Sequence, residues 1–409
     1  GEDAMVAPYN LPDPAIATME GYVTDYDNHW PIVTGKPATT ADYGQVMDYF
    51  DDQTLPVTYQ LARSFGVFDN WFCDEPSDTF TNRSFFHAAD STGLVTEPPL
   101  LPWPTLNTAK TVLNEMTDAG ISWNVFYDEW QVVPLTLLIN FRSLWRNTDS
   151  FRKMDSFFDA VSGGTLPQYS FVEPRMLTVD PAAAPTNDMH PEYFKEFGKY
   201  VPEDVRQGDA LLGRIYEAIR TSPKRDKTLL LVVFDENGGM HDHVAPPAAT
   251  PPGSAPGQQD FGFDRLGVRI PAIAISSFVP EGTIVSDQMQ NTSVIATLSK
   301  KWSLPTLNPR SASAPTFEGV LSAGAPRDWP EVAVPDPPSP GGGADSLATP
   351  LGRAILGTAA IAAATRLKLE SGQESGLTDD LAEPEVPEEL AVSDLSDQLS
   401  ESASGLGLQ

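Results

Sequence analysis

An abrupt change from apolar to acidic residues at 229–243 restricts the possible folds of this chain more than any other segment. Six apolar residues, Leu229 to Phe234, are followed by Asp235, Glu236, two glycines and a His-Asp-His sequence. An unbroken apolar run of this length is typical of a strand buried on both faces. Carboxylates at the end of such a strand can bind a cation or act as an acid/base pair. The competing interpretation is a strand followed by an acidic surface loop.

Helical and strand patterns alternate along the chain around this segment. Helices are predicted over 108–119, 151–161 and 204–220, and strands over 121–127, 167–172 and 270–276. This alternation predicts an α/β fold with a mostly parallel sheet that helices cover on both faces.

The composition divides the chain into four regions. Residues 1–325 are predicted to form one catalytic-size domain, and the Pro- and Gly-rich residues 326–348 a linker. An Ala-rich helix is predicted at 349–369 and an acidic disordered tail at 370–409. The most apolar stretch, 354–364, is too short to cross a membrane, so no transmembrane segment is expected. No signal peptide pattern opens the sequence.

Charge and cysteine content exclude some classes of function. The formal net charge of −30 argues against nucleic-acid binding through a basic groove. Eleven acidic residues and no Lys or Arg lie between Glu370 and the end, which leaves a net charge of about −19 on the rest of the chain. Cys73 is the only cysteine, which excludes an intrachain disulfide.

A second polar segment, 75–89, has a loop rich in hydroxyl groups that leads into a helical pattern. Thr79 or Thr81 could cap that helix. A helix N-terminus also favours anions such as phosphate. Without other observations, a threonine here is more often a cap than a nucleophile. The nearby aromatic residues Trp71, Phe80 and Phe85 suit core packing better than a pocket for a cationic ligand.

Several segments together resemble a known family. Residues 79–83, Thr-Phe-Thr-Asn-Arg, resemble the T-x-P-N-R signature of the bacterial phosphoesterase family, and residues 234–244 resemble its Y-D-E-H-G-G-x-x-D-H-V signature. Residues 290–294 and 302–305 are similar to its D-H-T-S-V and G-L-P segments. The family holds non-haemolytic-type phospholipases C and acid phosphatases of the alkaline phosphatase superfamily.

The resemblance implies a fold and a set of site residues. The fold would be a three-layer α/β/α sandwich like that of alkaline phosphatase. Thr79 would be the nucleophile and, with Asp235 and Glu236, a ligand of a divalent metal ion of unknown identity. His190 would contact the phosphoryl group or the leaving oxygen, and His243 would be a further catalytic helper. The substrate-binding residues would be Asn82 and Arg83.

The chain departs from the family pattern in four places. Asn237 and Asn291 stand where the family has histidines, and asparagine cannot transfer a proton near neutral pH. Thr81 replaces a proline. A Glu-Asn-Arg-Ser-Phe-Asp block, which supplies further metal and phosphate ligands in the family, is absent before Thr79. We therefore expect an N-terminally truncated member of the family.

The leading functional hypothesis is a secreted or periplasmic, metal-dependent phospholipase C that cleaves phospholipid phosphodiester bonds. Its partners would be a phospholipid or phosphate ester substrate and, transiently, a membrane surface. The alternatives are an acid phosphatase-like phosphomonoesterase and a non-catalytic homologue that binds phosphate or phospholipid.

Overall fold

The computed structural model describes most of the chain up to residue 336. The described residues are 19–34, 37–40, 44–95, 103–131, 133–176, 184–191, 193–196, 199–202, 204–254 and 257–336. The Ala-rich helix and the acidic tail that the sequence predicts lie outside these residues, as does the later part of the predicted linker.

Helices and strands alternate as predicted up to residue 173, but from residue 230 to 290 four strands follow one another with no α-helix between them among the described residues. The α-helices are α1 (Tyr22–Thr34), α2 (Pro56–Ser64), α3 (Thr79–Ala88), α4 (Trp103–Leu106), α5 (Val112–Asp118), α6 (Leu135–Ile139), α7 (Phe141–Leu144), α8 (Met154–Gly163), α9 (Val205–Thr221), α10 (Thr292–Trp302) and α11 (Pro309–Ser313). The strands are β1 (Gly66–Phe68), β2 (Trp71–Phe72), β3 (Trp123–Tyr127), β4 (Phe151–Lys153), β5 (Tyr169–Glu173), β6 (Tyr193–Glu196), β7 (Lys199–Pro202), β8 (Leu230–Val233), β9 (Ala272–Ile275), β10 (Thr283–Val285) and β11 (Met289–Gln290).

Strand β3 shows how the layers are built. Successive side chains of a strand point to opposite faces of its sheet. Trp123, Val125 and Tyr127 pack into an apolar cluster with α5 and α7, whereas Phe126 packs into a second cluster with α8 and α9. Helices therefore cover both faces of this sheet, which confirms the predicted α/β class.

The strands form two main sheet sections. One section has the order β10-β1-β9-β8 and the other has the order β4-β3-β5. All pairings of the second section are parallel, but β9 runs antiparallel to both β1 and β8. A parallel neighbour needs a crossover connection, usually a helix. Among the described residues between β8 and β9 there is no α-helix, and the antiparallel pairing does not need one.

The boundary predicted at residue 325 is too early. Trp329 and Val332 are buried in the main core. The Trp329 ring stacks on Tyr216 with 5.4 Å between centroids, and its Nε1 donates to Ser277 Oγ at 3.0 Å. Tyr216 in turn donates to the Pro330 carbonyl at 2.6 Å. Proline-rich composition suggested a linker, but the two apolar side chains hold this segment on the domain.

The helices of the described residues include none that is long and apolar enough to cross a membrane.

Candidate active site

The acidic turn after β8 is held in place by Asn291. Its Nδ2 donates to the carbonyl oxygens of Phe234 at 3.2 Å and of Asp235 at 3.1 Å. Its Oδ1 accepts a hydrogen bond from Trp71 Nε1 at 3.0 Å. Asn291 is fully buried. This departure from the family pattern therefore supports the strand end through its amide, a role that needs no proton transfer.

Two glycines let the chain reverse directly after the acids. Gly238 and Gly239 have φ values of 63° and 74°, which favour glycine. A Cβ atom on Gly238 would lie 2.5 Å from Cγ of Pro191, so the turn packs closely against the segment that contains His190. Asn237 Nδ2 donates to the Met240 carbonyl at 2.7 Å, so this second departure also supports the backbone.

The carboxylates of the turn have backbone partners. Asp235 Oδ1 accepts from the N–H of Glu236 at 3.0 Å, and Glu236 Oε2 accepts from the N–H of Gly238 at 2.5 Å. The other oxygen of Asp235, Oδ2, lies 3.2 Å from Arg83 Nε. The acidic turn is thus held by hydrogen bonds within the turn and by the contact with helix α3.

Arg83 joins the two segments that the sequence singled out. It lies in α3, four residues after Thr79, and residues four apart share one face of a helix. Besides its contact with Asp235, its Nη1 lies 3.5 Å from Glu173 Oε2 at the end of β5. The contact brings the first turn of α3, where Thr79 is half-buried, to the same edge of the sheet as the acidic turn.

Asn82 shapes the loop before Thr79. Its Nδ2 donates to the carbonyl oxygens of Glu75 at 3.1 Å and Ser77 at 2.9 Å, and its Oδ1 accepts from the N–H of Glu75 at 3.1 Å. The side chain is fully buried. The predicted contact of Asn82 with substrate stays a prediction, because the contacts seen here are all with the loop.

Two acids were not selected from the sequence. Glu173 is fully buried and accepts from the N–H and hydroxyl of Thr136 at 2.9 and 2.8 Å. Burial, and then the negative charge of Asp235, raise the pKa of Asp188 to about 6. For Glu173 a signal existed, because it ends a predicted strand as Asp235 does. For Asp188, nothing in the loop sequence indicated a site residue.

The histidines lie in different surroundings. The N–H of His190 donates to Asp188 Oδ1 at 3.4 Å, close to the Gly238 turn. The side chain of His243 is 82% exposed, and its Nδ1 lies 3.5 Å from Asp242. The structure therefore turns His243 towards solvent, while His190 stays next to the acidic turn. Both catalytic roles stay predictions.

Asp242 anchors the far end of this loop. Arg269 donates to it through Nε at 2.7 Å and Nη2 at 2.8 Å. Burial raises the pKa of Asp242, but the Arg269 hydrogen bonds, the N–H of Val244 and the charge of Arg269 together outweigh it and hold the pKa below its usual value.

We expect Arg269→Gln to destabilise the protein at pH 7 by about 1–3 kcal/mol, the usual contribution of hydrogen bonds to a charged group. Because the pKa of Asp242 is depressed by folding, this stability is present above the unfolded pKa of about 4 and is lost as pH falls through the folded pKa. Urea unfolding of both proteins from neutral to acidic pH measures the effect. An equal difference at all pH values would contradict this account.

The aromatic residues near Thr79 pack in the core. Trp71, Phe80 and Phe85 are all at most 5% exposed. This confirms the core-packing interpretation over a pocket for a cationic ligand.

The residues of the site do not by themselves fit a metal ion. Within the described part of the chain, no group of three or more His, Cys, Asp or Glu side chains is arranged to hold one. Asp235 is also engaged by Arg83, which already provides a positive charge beside it. A site with Asp235 and Glu236 as ligands would need further donors.

Comparison with known proteins shows the family to which this chain belongs. The model of the phosphoesterase family matches residues 16–305. Non-specific phospholipase C3 of Arabidopsis thaliana is 34% identical over 311 residues, which cover 72% of this chain and 56% of the relative. Phospholipase C A of Mycobacterium tuberculosis (strain ATCC 25618 / H37Rv) is 26% identical over 64% of this chain and 53% of the relative.

The chain spans about half the length of the curated relatives it matches. A solved structure of a protein in the alkaline phosphatase superfamily from Vibrio parahaemolyticus is 13% identical, with a TM-score of 0.36 over 65% of each chain. The family match covers most of the chain and includes both signature segments. The chain belongs to the phosphoesterase family.

Proposed function

We propose that this protein is a phosphoric ester hydrolase of the phospholipase C type, which cleaves a phospholipid phosphodiester with Thr79 as nucleophile. The observation that carries the proposal is the contact of 3.2 Å between Arg83 and Asp235, which joins the start of α3 to the end of β8. The relatives named as phospholipases C support a phosphodiester as the substrate.

In the proposed reaction, the Thr79 oxygen bonds to phosphorus while the bond from phosphorus to the diacylglycerol oxygen breaks. The hydroxyl proton passes to a base, and the leaving oxygen takes a proton, for which His190 is the proposed donor. Water then attacks the phosphothreonine, releases the phosphorylated headgroup and restores Thr79. The N–H groups at the start of a helix such as α3 favour the negative phosphoryl oxygens.

The proposal includes a divalent metal ion, which Asp235, Glu236 and Thr79 would hold together with further donors. A bound cation would offset charge on the phosphoryl oxygens. Because the described residues lack a complete ligand set, the experiment must supply and remove metal explicitly.

The direct test compares hydrolysis of p-nitrophenyl phosphorylcholine and p-nitrophenyl phosphate, with Mg²⁺, Ca²⁺, Mn²⁺ or Zn²⁺ supplied and after EDTA treatment. A faster reaction with the phosphocholine diester supports the phospholipase C assignment. A faster reaction with the monoester would replace it with a phosphomonoesterase. Diacylglycerol released from phosphatidylcholine vesicles then confirms which bond is cleaved.

A non-catalytic phosphate- or phospholipid-binding protein is the second candidate. It is favoured by Asn237 and Asn291, whose amides support the backbone where a histidine could titrate. Saturable binding of phosphate or phosphatidylcholine vesicles, without turnover of either ester under any metal condition, would establish it.

Export to the periplasm or the medium, and brief contact with a membrane surface, complete the proposal. Fractionation of the source cells tests the first, and co-sedimentation with phosphatidylcholine vesicles tests the second. Recovery of the protein only from the cytosol would contradict export.

If Arg83 contributes to anion binding, inorganic phosphate should raise the melting temperature of the wild type, because a ligand that binds only the native state stabilises it. We expect Arg83→Met to lose most of this increase, since its guanidinium lies 3.2 Å from Asp235 in the candidate site and its side chain is 9% exposed. Arg146→Met, at an exposed arginine stacked on Trp145, is the matched control. Equal phosphate effects in both variants would exclude Arg83 from the anion site.

A further inference from the structure

Glu173, the last residue of β5, has a carboxylate that the surrounding protein holds in one place. Its Oε1 accepts hydrogen bonds from the N–H of Leu135 at 2.6 Å and from the side-chain amide of Gln131. Its Oε2 accepts from the N–H and the hydroxyl of Thr136 at 2.9 and 2.8 Å. The side chain is fully buried. These four donors fix the position of the carboxylate and offset much of its charge.

Arg83 is the charged neighbour of this fixed carboxylate. Its Nη1 lies 3.5 Å from Glu173 Oε2. Its Cζ lies 5.8 Å from the centroid of the Phe171 ring, which is also on β5. Strand β5 thus holds the guanidinium both by charge and by contact with an aromatic face. A guanidinium held in this way suits the oxygens of a phosphoryl group.

The two carboxylates beside Arg83 differ in how firmly they are held. The side chain of Asp235 is 22% exposed, and apart from Arg83 its carboxylate accepts only from the N–H of Glu236 among the described residues. Glu173 is completely buried and has four other donors. When an anion takes the place of Asp235 beside Nε, Glu173 is therefore the contact that keeps Arg83 in the site.

We propose that Glu173 is a positioning residue, which holds the Arg83 guanidinium where a phosphoryl oxygen can bind it. What Glu173 contributes is the position of its carboxylate, because the protein donors already offset much of its charge. The inference rests on the proposed phosphoester site, in which Arg83 contacts the phosphoryl group. It concerns binding of the anion, so the test does not depend on turnover.

Glu173 also stabilises the start of α6, and the test must separate this role from the positioning of Arg83. Asp209 of α9 provides a matched case at the start of α2. Its buried carboxylate accepts from the N–H of Val57 at 3.0 Å, and from the N–H and the hydroxyl of Thr58 at 2.8 and 2.6 Å. Asp209→Asn therefore removes a similar buried carboxylate from a helix start without a change beside Arg83.

The test measures the dissociation constant of inorganic phosphate for the full chain by isothermal titration calorimetry, well below the melting temperature of each variant. It is run in EDTA or with Mg²⁺ supplied, whichever gives the tighter wild-type binding. Glu173→Gln keeps the length of the side chain but removes its charge, whereas Glu173→Asp keeps the charge but shortens the side chain by one methylene.

Both Glu173 variants are expected to raise the dissociation constant about tenfold or more, because Arg83 then pairs with Asp235 alone. Asp209→Asn should bind phosphate like the wild type. All three variants should lower the melting temperature by similar amounts, on the order of 5 °C, because each disturbs a buried carboxylate at a helix start.

Three results would overturn the proposal. If Glu173 acts only by repelling anions, Glu173→Gln would bind phosphate more tightly and Glu173→Asp would bind it like the wild type. Equal weakening in Asp209→Asn would show that the loss of binding follows from lost stability. No saturable binding of phosphate by the wild type would remove the anion site itself.

Hydrolysis of p-nitrophenyl phosphorylcholine by the same proteins is recorded separately. A wild type that binds phosphate with the expected pattern among the variants but hydrolyses no ester would contradict the proposed function and leave the role of Glu173 in place. A wild type that hydrolyses the ester, with unchanged phosphate binding in both Glu173 variants, would contradict only the role of Glu173.

Discussion

Thr79→Ala is expected to lower kcat for phosphodiester hydrolysis by about 10⁴-fold or more, the size of effect seen when a catalytic nucleophile is removed. The change deletes the oxygen that is proposed to bond to phosphorus. It should leave folding nearly unchanged, because Thr79 is a half-buried first residue of α3, where alanine is well tolerated.

Thr81→Ala is the matched control for this prediction. The Thr81 hydroxyl is buried and donates to the Asp78 carbonyl at 3.1 Å, so its loss should reduce stability while kcat is largely retained. Acid quenching during turnover should trap a peptide in which Thr79 is esterified to the phosphorylated headgroup, identified by mass spectrometry, in the wild type and in Thr81→Ala. Full activity of Thr79→Ala, or a phosphoryl group on another residue, would exclude Thr79 as nucleophile.

Arg310→Met is expected to destabilise the protein by about 3–5 kcal/mol, the usual cost of leaving one partner of a buried ion pair alone. Arg310 and Asp74 are both fully buried, with 3.2 Å between Nη1 and Oδ1. Arg310 also donates to the carbonyl oxygens of Thr250 and Phe263, each at 2.5 Å. It also donates to the carbonyl oxygen of Asp74 at 3.0 Å, so the variant leaves a buried carboxylate and three carbonyl oxygens without this donor.

The pH dependence separates this mechanism from simple loss of packing. Burial already raises the pKa of Asp74, and Arg310 acts against that increase. Without Arg310 the pKa rises further, so the folded variant holds a proton more tightly than the unfolded chain. The loss of stability caused by Arg310→Met should thus be smaller at acidic pH than at pH 8.

Urea unfolding of the wild type and of Arg310→Met at both pH values measures this difference. The control is Arg63→Met, which removes an exposed ion pair with Asp52 and should lower the free energy of unfolding by at most about 1 kcal/mol. A cost for Arg310→Met that does not vary with pH would show that lost packing dominates.

Much of the candidate site could be predicted from local sequence patterns. The apolar run that ends at Asp235 predicted a strand with acids at its carboxyl end, and the structure has β8 at Leu230–Val233 followed by these acids. The loop before Thr79 predicted a helix N-terminus, and α3 begins at Thr79. Such features follow from periodicity and capping, which act over a few neighbouring residues.

The sequence by itself determined the α/β class, the elements that carry the site and the family of the chain. Only the tertiary structure decided that Arg83 meets Asp235 and Glu173, and that Asn291 supports the strand end. The contact between Arg83 and Asp235 joins residues 152 positions apart. Contacts over such separations depend on how complete helices and strands pack against each other. A local sequence pattern does not predict them, because a strand edge or a buried charge can pair with several different partners.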